Sequence, residues 1–249
     1  MRFVDCNCAV GLPVAAQGFR VYDPDGIERI LRRCGITAAY AHHNAAYDLH
    51  PVNGNGAIDA LCAENSFFKP VWVVMPNDTG EFYDPAALIR RMSEGNVSMV
   101  RMFPRYNDHS FSLSQWCAGS LLDALEVAGI PLLLDEGQVS WDEVHGILAA
   151  YPGLPVIITN LYYRHGRVIA SLLKRHKNLY CETSGLRSFD LLEALCGQAG
   201  ADRLVFGTGM GTYSAGSAVA LLTYAGISQA EKEAIAYGNL SRLLKRGCL

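Results

Sequence analysis

Ionisable side chains stand at the ends of several short apolar runs in this sequence. His42 and His43 end the run A-A-Y-A, and Asp135 and Glu136 end the run P-L-L-L. Arg101 lies inside the apolar run S-M-V-R-M-F. A carboxylate or an imidazole can move a proton in acid–base catalysis, and a guanidinium fork pairs with the two oxygens of a carboxylate or phosphate. These residue types therefore indicate acid–base chemistry on a small anionic molecule.

Each of these residues also has an ordinary structural interpretation. Neighbours on a strand face opposite sides, so His42 and His43 could be half core and half loop cap. Asp135 could cap a helix, with Glu136 as its solvated neighbour. Arg101 would need a partner inside its strand, because an unpaired buried charge is costly.

Apolar, β-branched runs of strand length alternate along the chain with segments of helical period. Strands that are apolar on both faces and alternate with helices are typical of a parallel sheet covered by helices. The predicted strands are Arg2–Cys8, Ala38–His43, Pro70–Met75, Ser98–Phe103, Pro131–Asp135, Pro155–Asn160, Leu179–Thr183 and Leu204–Thr208. The predicted helices are Pro24–Cys34, Ala57–Asn65, Pro85–Gly95, Ser114–Ala128, Trp141–Tyr151, Arg167–His176, Phe189–Ala199 and Ser214–Ala225, followed by a C-terminal helical extension over Ser228–Lys245.

Eight strand–helix units in 249 residues match the size of a closed (β/α)8 barrel. A doubly wound open sheet is the alternative. No linker or low-complexity segment divides the chain, so residues 1–249 are expected to form one barrel domain. Sites in such barrels form at the carboxyl ends of the strands, which is where the ionisable residues stand.

The composition argues against several kinds of partner. Half of the residues are apolar, 18% are charged, and the formal net charge is −3, so neither nucleic acid nor an anionic membrane surface is expected to bind. We find no secretory signal pattern and no apolar stretch near the roughly 20 residues of a membrane span, and expect a cytoplasmic protein. The isolated cysteines are then expected to be reduced and mostly buried: Cys34, Cys62, Cys117, Cys181, Cys196 and Cys248.

Several segments, in order along nearly the whole chain, resemble those of the amidohydrolase-related proteins, a branch of (β/α)8 barrels described as metal-dependent hydrolases and decarboxylases. The opening F-V-D-C-N-C-A-V-G is similar to the family pattern D-x-H-x-H-x-G. P-L-L-L-D-E-G and P-V-I-I-T-N-L stand where the family has strands ending in histidine. R-L-V-F-G-T-G-M-G resembles the last strand, which usually ends F-G-S-D, and Y-G-N-L-S-R-L-L resembles the terminal G-N-A-x-R-L-L.

The chain departs from this family at the positions that the resemblance matches to metal ligands. In chain order, Asn7 and Ala9 replace the first two histidines, Asp135 and Asn160 the next two, and Gly209 the final aspartate. Asparagine and alanine cannot replace neutral imidazole as zinc ligands, and glycine supplies no side chain. We therefore expect no metal or other cofactor. The alternative is zinc or another divalent ion in a relocated site made from Asp135, Glu136, His42, His43 or Glu182.

The resemblance also predicts which way the side chains of the C-N-C segment point. Alternation places Cys6 and Cys8 on one face of the strand and Asn7 and Ala9 on the other. Since the family histidines face the barrel lumen, both cysteines are expected to point outward and to serve packing.

Two functions remain open from the sequence. The first is a metal-independent hydrolase or decarboxylase acting on a small carboxylate-bearing substrate. Its candidate catalytic residues are Asp135 or Glu136 as base with His42, Asn7 and Asn160 as hydrogen-bonding groups, and its candidate substrate-binding residues are Arg101, Arg105, Arg164, Glu182 and His43. The second is a pseudoenzyme that binds an anionic metabolite or a partner protein.

A third, structural role would be a homo-oligomer or a barrel whose mouth is closed by another chain, because G-M-G-T-Y-S-A-G-S-A-V-A-L could pack against a neighbour.

Overall fold

The strands of the protein pair in parallel around a barrel. A computed structural model describes residues 1–12 and 23–245. Val71 alone separates β3 from β4, and these two segments pair with β2 and β5 respectively, so they form two halves of one barrel strand. The strands are β1 (Phe3–Val10), β2 (Ile36–His43), β3 (Phe68–Pro70), β4 (Trp72–Val73), β5 (Val100–Met102), β6 (Leu132–Asp135), β7 (Val156–Thr159), β8 (Leu179–Glu182) and β9 (Leu204–Val205).

The two ends of the sheet meet. Pairing runs in the orders β1-β2-β3 and β4-β5-β6-β7-β8-β9. β1 then joins the chain that continues from β9: the Cys6 N–H donates to the Phe206 carbonyl at 3.1 Å, and the Ala9 N–H to the Met210 carbonyl at 3.0 Å. An open doubly wound sheet would leave these edges apart, so the predicted (β/α)8 barrel is confirmed.

Helices follow the strands and cover the barrel. Their starts carry the expected caps: the Asp23 side chain accepts from the Gly26 N–H, and Ser140 and Ser228 each form a capping box. Each described helix is too short or too polar to cross a lipid bilayer. The helices are α1 (Pro24–Arg33), α2 (Ala45–Asp48), α3 (Pro51–Glu64), α4 (Pro85–Glu94), α5 (Gln115–Ala128), α6 (Trp141–Ala150), α7 (Gly166–Arg175), α8 (Leu191–Ala199), α9 (Ala215–Tyr224), α10 (Gln229–Glu233) and α11 (Asn239–Leu244).

Apolar side chains fill the lumen near the amino ends of the strands. This inner cluster includes Leu240 and Leu243 of α11, which close that end of the barrel. A larger cluster packs between the strands and the helices. Because the inner cluster occupies the amino-terminal half of the lumen, a site must lie above it, at the carboxyl ends of the strands. The other residues of the inner cluster lie in the strands or directly beside them: Val4, Cys6, Val71, Met99, Leu133, Ile157, Tyr180 and Val205.

A β-bulge in β1 changes the predicted orientation of the C-N-C segment. The register against β2 shifts between Asp5 and Cys8. Cys6 packs in the inner cluster, whereas Cys8 packs in the outer one. The expectation that both cysteines point outward is therefore wrong for Cys6, because the extra residue of the bulge interrupts the alternation on which it rested.

The cysteines of the described residues are all free thiols. Cys181 and Cys196 are buried, while Cys34, Cys62 and Cys117 are half-buried. Cys248 lies outside the described residues.

Candidate functional site

Polar side chains form a layer directly above the inner apolar cluster. Asn7 of β1 is at its centre. The amide nitrogen of Asn7 donates to Asn160 Oδ1 and to Glu182 Oε2, both at 3.0 Å. The amide oxygen of Asn7 accepts from Arg101 Nη2 at 2.5 Å. Residues from four separated segments of the sequence thus meet in one hydrogen-bonded network.

Arg101 is the cation of this layer. Its side chain is buried, with 3% of the residue exposed, and Nε has no hydrogen-bond partner among the described residues. Burial lowers the pKa of the guanidinium, and the charge of Asp135 opposes that effect. Arg101 is therefore a buried cation with one unsatisfied donor.

The two acids of the layer accept hydrogen bonds from neighbouring groups. Glu182 accepts from the Ser184 hydroxyl at 2.8 Å, from the Ser184 N–H, and from the Asn160 N–H at 3.3 Å. Asp135 accepts from the Gly137 N–H at 2.9 Å and from the Asn160 amide. Burial raises the pKa of Glu182, and these hydrogen bonds oppose the shift. The carboxylates therefore hold the asparagines and the following turns in place.

His42 and His43 face opposite sides of β2. His42 is buried beside Phe103, with ring centres 5.7 Å apart, and it hydrogen-bonds the Cys8 carbonyl. Burial, and next the charge of Arg101, hold the pKa of His42 well below its ordinary value, so the imidazole is neutral. His43 is half-buried, and its Nδ1 accepts from the Ala45 N–H at 3.1 Å. A Cβ at Gly11 would lie only 2.4 Å from His43 Nε2, so the ring packs on the loop after β1.

Glu136 points away from the network that holds Asp135. Its Oε1 lies 2.7 Å from Nδ1 of His165, and its Oε2 accepts from the Tyr162 N–H at 3.3 Å. His165 was not among the sequence candidates; it ends the 3-10 helix Tyr163–His165, and its partner Glu136 follows a different strand. Glu136 and His165 thus form a pair at the rim of the barrel, separate from the layer around Asn7.

The two remaining arginine candidates also lie outside the layer. Arg105 is exposed, and its backbone N–H donates to Gln138 Oε1 at 3.2 Å. Arg164 donates to the Tyr163 hydroxyl at 3.0 Å and borders a groove of 620 Å³ between α7 and α8. Their predicted contacts with a substrate stay predictions.

Four of the five positions matched to metal ligands lie together. Asn160 hydrogen-bonds both Asn7 and Asp135. A Cβ built on Gly209 would lie 3.1 Å from Asn160 Oδ1. Of these four residues only Asp135 is ionisable, and the described residues contain no group of three His, Cys, Asp or Glu side chains arranged to hold a metal.

The fold and the site define the class of protein: it is a (β/α)8 barrel with a polar layer at the carboxyl ends of its strands. The chain belongs to the amidohydrolase family, whose model matches residues 15–246. The resemblance noted in the sequence is thereby confirmed. No curated protein matches the chain by sequence.

Solved structures share the fold at low sequence identity. An uncharacterized TIM-barrel protein, Bb4693 from Bordetella bronchiseptica, is 17% identical over 99% of each chain, with a TM-score of 0.79. The 2,6-dihydroxybenzoate decarboxylase from Rhizobium is 16% identical over 98% of each chain, with a TM-score of 0.74. A dihydroxybenzoic acid decarboxylase from Polaromonas sp. JS666, solved with bound manganese and 2-nitroresorcinol, is 16% identical over 98% of this chain and 96% of its own, with a TM-score of 0.69.

Proposed function

We propose that the chain binds a small carboxylate-bearing molecule over Arg101 and acts on it as a metal-independent hydrolase or decarboxylase. The observation that carries the proposal is the buried guanidinium, which holds Asn7 at 2.5 Å and keeps Nε free of any partner among the described residues. A carboxylate over Arg101 would satisfy that donor and neutralise the buried charge.

A divalent metal does not fit the residues at the usual place. Amide groups of Asn7 and Asn160 are weak ligands for such an ion, and both amides are already engaged with each other and with the acids. The Arg101 guanidinium beside Asn7 would also repel a second cation. We therefore derive no step through a metal.

His42 and Arg101 would have different roles in the reaction. Arg101 holds the carboxylate, Asn7 accepts from the guanidinium, and Glu182 holds Asn7 in place. His42 is neutral near pH 7, because burial and the charge of Arg101 hold its pKa well below the ordinary value, so it would serve as a hydrogen-bonding group and not as a strong base. Asp135 serves this arrangement indirectly by fixing Asn160.

A binding protein without catalysis is the second candidate, and one observation favours it. Both carboxylates of the layer, Asp135 and Glu182, are engaged by hydrogen-bond donors, so neither is a free base. Under this alternative Arg101 still binds the anion, and His42 is a buried packing residue.

The test combines binding, turnover and metal content. We expect benzoate to raise the melting temperature of the wild type and of Arg91→Met, but not that of Arg101→Met. Arg91 is a matched control because it is exposed and stacks on Tyr83 at 4.6 Å. Lactones, amides and aromatic carboxylates are then assayed with and without a chelator.

The outcomes separate the alternatives. Turnover that resists the chelator and is lost in His42→Gln supports the enzyme. Benzoate binding without any turnover supports the binding protein. A stoichiometric, tightly held divalent metal in the purified wild type contradicts metal independence, and unchanged benzoate binding by Arg101→Met contradicts the anion site.

A further inference from the structure

The groove between α7 and α8 has an apolar floor. The two helices approach closely at its start, where a Cβ built on Gly166 would lie 2.7 Å from Leu191 Cδ1. Ala170 of α7 and Leu191, Ala194 and Leu195 of α8 supply the apolar surface. Ala194 is exposed, and Ala170 and Leu191 are half-buried, so water reaches this surface in the described part of the chain. The outer layer of helices therefore presents an open apolar groove of 620 Å³.

Cations line the α7 side of this groove. Arg167 and Lys174 are both exposed, and two helical turns, or about 10 Å, separate them along one face of α7. Arg164 stands at the start of the row, where its Nε donates to the Tyr163 hydroxyl. Among the described residues, no acid lines the groove and none forms an ion pair with Arg167 or Lys174. A chain with a formal net charge of −3 thus carries a locally positive groove.

The spacing of the lining residues fits one more helix. They recur every three or four positions on both walls, which is the spacing of a single helix face. A third helix packs in a groove between two such faces, and an amphipathic helix binds there through apolar side chains one turn apart. A single carboxylate or phosphate, by contrast, could not bridge two cations about 10 Å apart. The lining residues of the two helices are Gly166, Arg167, Ala170, Ser171 and Lys174 on α7, and Leu191, Ala194, Leu195 and Gln198 on α8.

We propose that this groove is a docking site for an acidic amphipathic helix of a partner protein. The apolar face of that helix would lie on Ala194 and Leu195, and its carboxylates would pair with Arg167 and Lys174. Charge complementarity selects an acidic partner, because the same row of cations would repel a basic helix. The proposal does not depend on the anion site over Arg101, since the groove lies on the outer side of the barrel.

Fluorescence anisotropy of the full chain with labelled peptides tests the docking. The probe is a peptide of about 18 residues, long enough to form helix, with leucines on one face, glutamates beside them and alanines elsewhere. A control peptide carries lysine in place of glutamate. We expect the wild type to bind the glutamate peptide but not the lysine peptide, and to bind it more weakly as the salt concentration rises.

Charge reversal on α7 should exchange the preference between the peptides. The double variant Arg167→Glu/Lys174→Glu should bind the glutamate peptide about tenfold more weakly and should gain binding to the lysine peptide. Arg175→Glu/Lys177→Glu is the matched control, because it reverses two exposed cations at the end of α7 that do not line the groove. This control should bind both peptides as the wild type does.

Three results would overturn the proposal. The first is a wild type that binds the glutamate peptide no better than the lysine peptide, or an equal loss of binding in the two double variants. The second is self-association of the wild type in sedimentation that only Arg167→Glu/Lys174→Glu abolishes, which would assign the groove to a second copy of the chain. The third is binding to phosphatidylserine vesicles without binding to the peptide, which would assign it to a membrane surface.

Discussion

The carboxylate of Asp5 accepts hydrogen bonds from the backbone N–H groups of Asn7 and Thr208, both at 2.9 Å, and from the Thr208 hydroxyl. The Asn7 N–H lies where the bulge in β1 interrupts regular pairing, and Thr208 lies in the chain that follows β9. Asp5 therefore supplies acceptors that a regular strand ladder would provide, because buried N–H groups are costly to leave unpaired. At the scale of the residue, Asp5 helps to close the barrel between β1 and the chain that follows β9.

The pH dependence of stability should report on Asp5. Burial raises its pKa to about 7, whereas an unfolded aspartate titrates near 4. Between these values the folded chain keeps a proton that the unfolded chain releases, so this contribution to stability is full below about pH 4 and is lost as the pH rises through about 7. We expect Asp5→Asn to flatten this decline, by up to a few kcal/mol, in urea unfolding measured across the interval.

An exposed aspartate provides the control for that measurement. Asp123 lies on the outer face of α5, so Asp123→Asn should follow the wild-type curve. A decline equally steep in Asp5→Asn and in the wild type would contradict the role given to Asp5.

Gly209 is a second residue whose type is fixed by its surroundings. Its φ is +60°, and a Cβ at this position would meet the Tyr213 ring at 2.6 Å, so there is no room for a side chain. We expect Gly209→Ala to lower the free energy of unfolding by about 1–3 kcal/mol. Gly197→Ala in α8, where nothing lies within 4 Å, should instead raise it by about 0.5–1 kcal/mol. Equal changes in urea denaturation would contradict the crowding at Gly209.

At the scale of elements, one buried amide ties α3 to the barrel. Asn55 Nδ2 donates to the Val73 carbonyl and its Oδ1 accepts from the Val73 N–H, both at 2.8 Å. Asn55→Ala would leave two buried backbone groups unpaired, so we expect a loss of about 2–4 kcal/mol in urea unfolding. Asn53→Ala, on the exposed side of the same helix, should change stability by less than about 0.5 kcal/mol. Similar losses in both variants would contradict the role given to this clamp.

The sequence predicted the positions of the strands and helices better than their exact ends and irregularities. Apolar runs and helical periods are local properties, and they located the eight barrel strands and most helices. The short α2 and the first turns of α3 were missed, because Asn53 and Gly54 are weak helix formers that tertiary contacts hold in place. A Cβ at Gly54 would lie 2.1 Å from the Ala46 N, so close packing between these helices requires glycine.

The candidate site was predictable only in part, because contacts between residues that are distant in the sequence leave no local pattern. Arg101, Asn7, Asn160 and Glu182 were chosen from strand ends, and the structure brings them into one network. His165 was missed because its importance lies in the contact with Glu136, which is distant in the sequence. The bulge in β1 likewise depends on pairing with other strands.

At the scale of the molecule, α11 acts as the floor of the barrel. Leu240 is 1% exposed and packs in the inner cluster with residues from the strands. We expect Leu240→Ala to cost about 2–5 kcal/mol in urea unfolding, because the strands around the cavity cannot collapse to fill it. Ser241→Ala, on the exposed side of the same helix, should stay within about 0.5 kcal/mol of the wild type. A small change in the free energy of unfolding for Leu240→Ala would show that α11 is not part of the cooperative core.

The closure between Asp5 and Thr208 also bears on the chain during its synthesis. These partners are 203 positions apart, so β1 keeps one open edge until almost the whole barrel has been made. Contacts of such long range form slowly, and an open strand edge invites pairing with other chains in the meantime. The bulge makes β1 irregular and gives the Asn7 N–H a local acceptor in Asp5. We therefore expect the bulge beside Asn7 also to disfavour pairing of this strand with other chains.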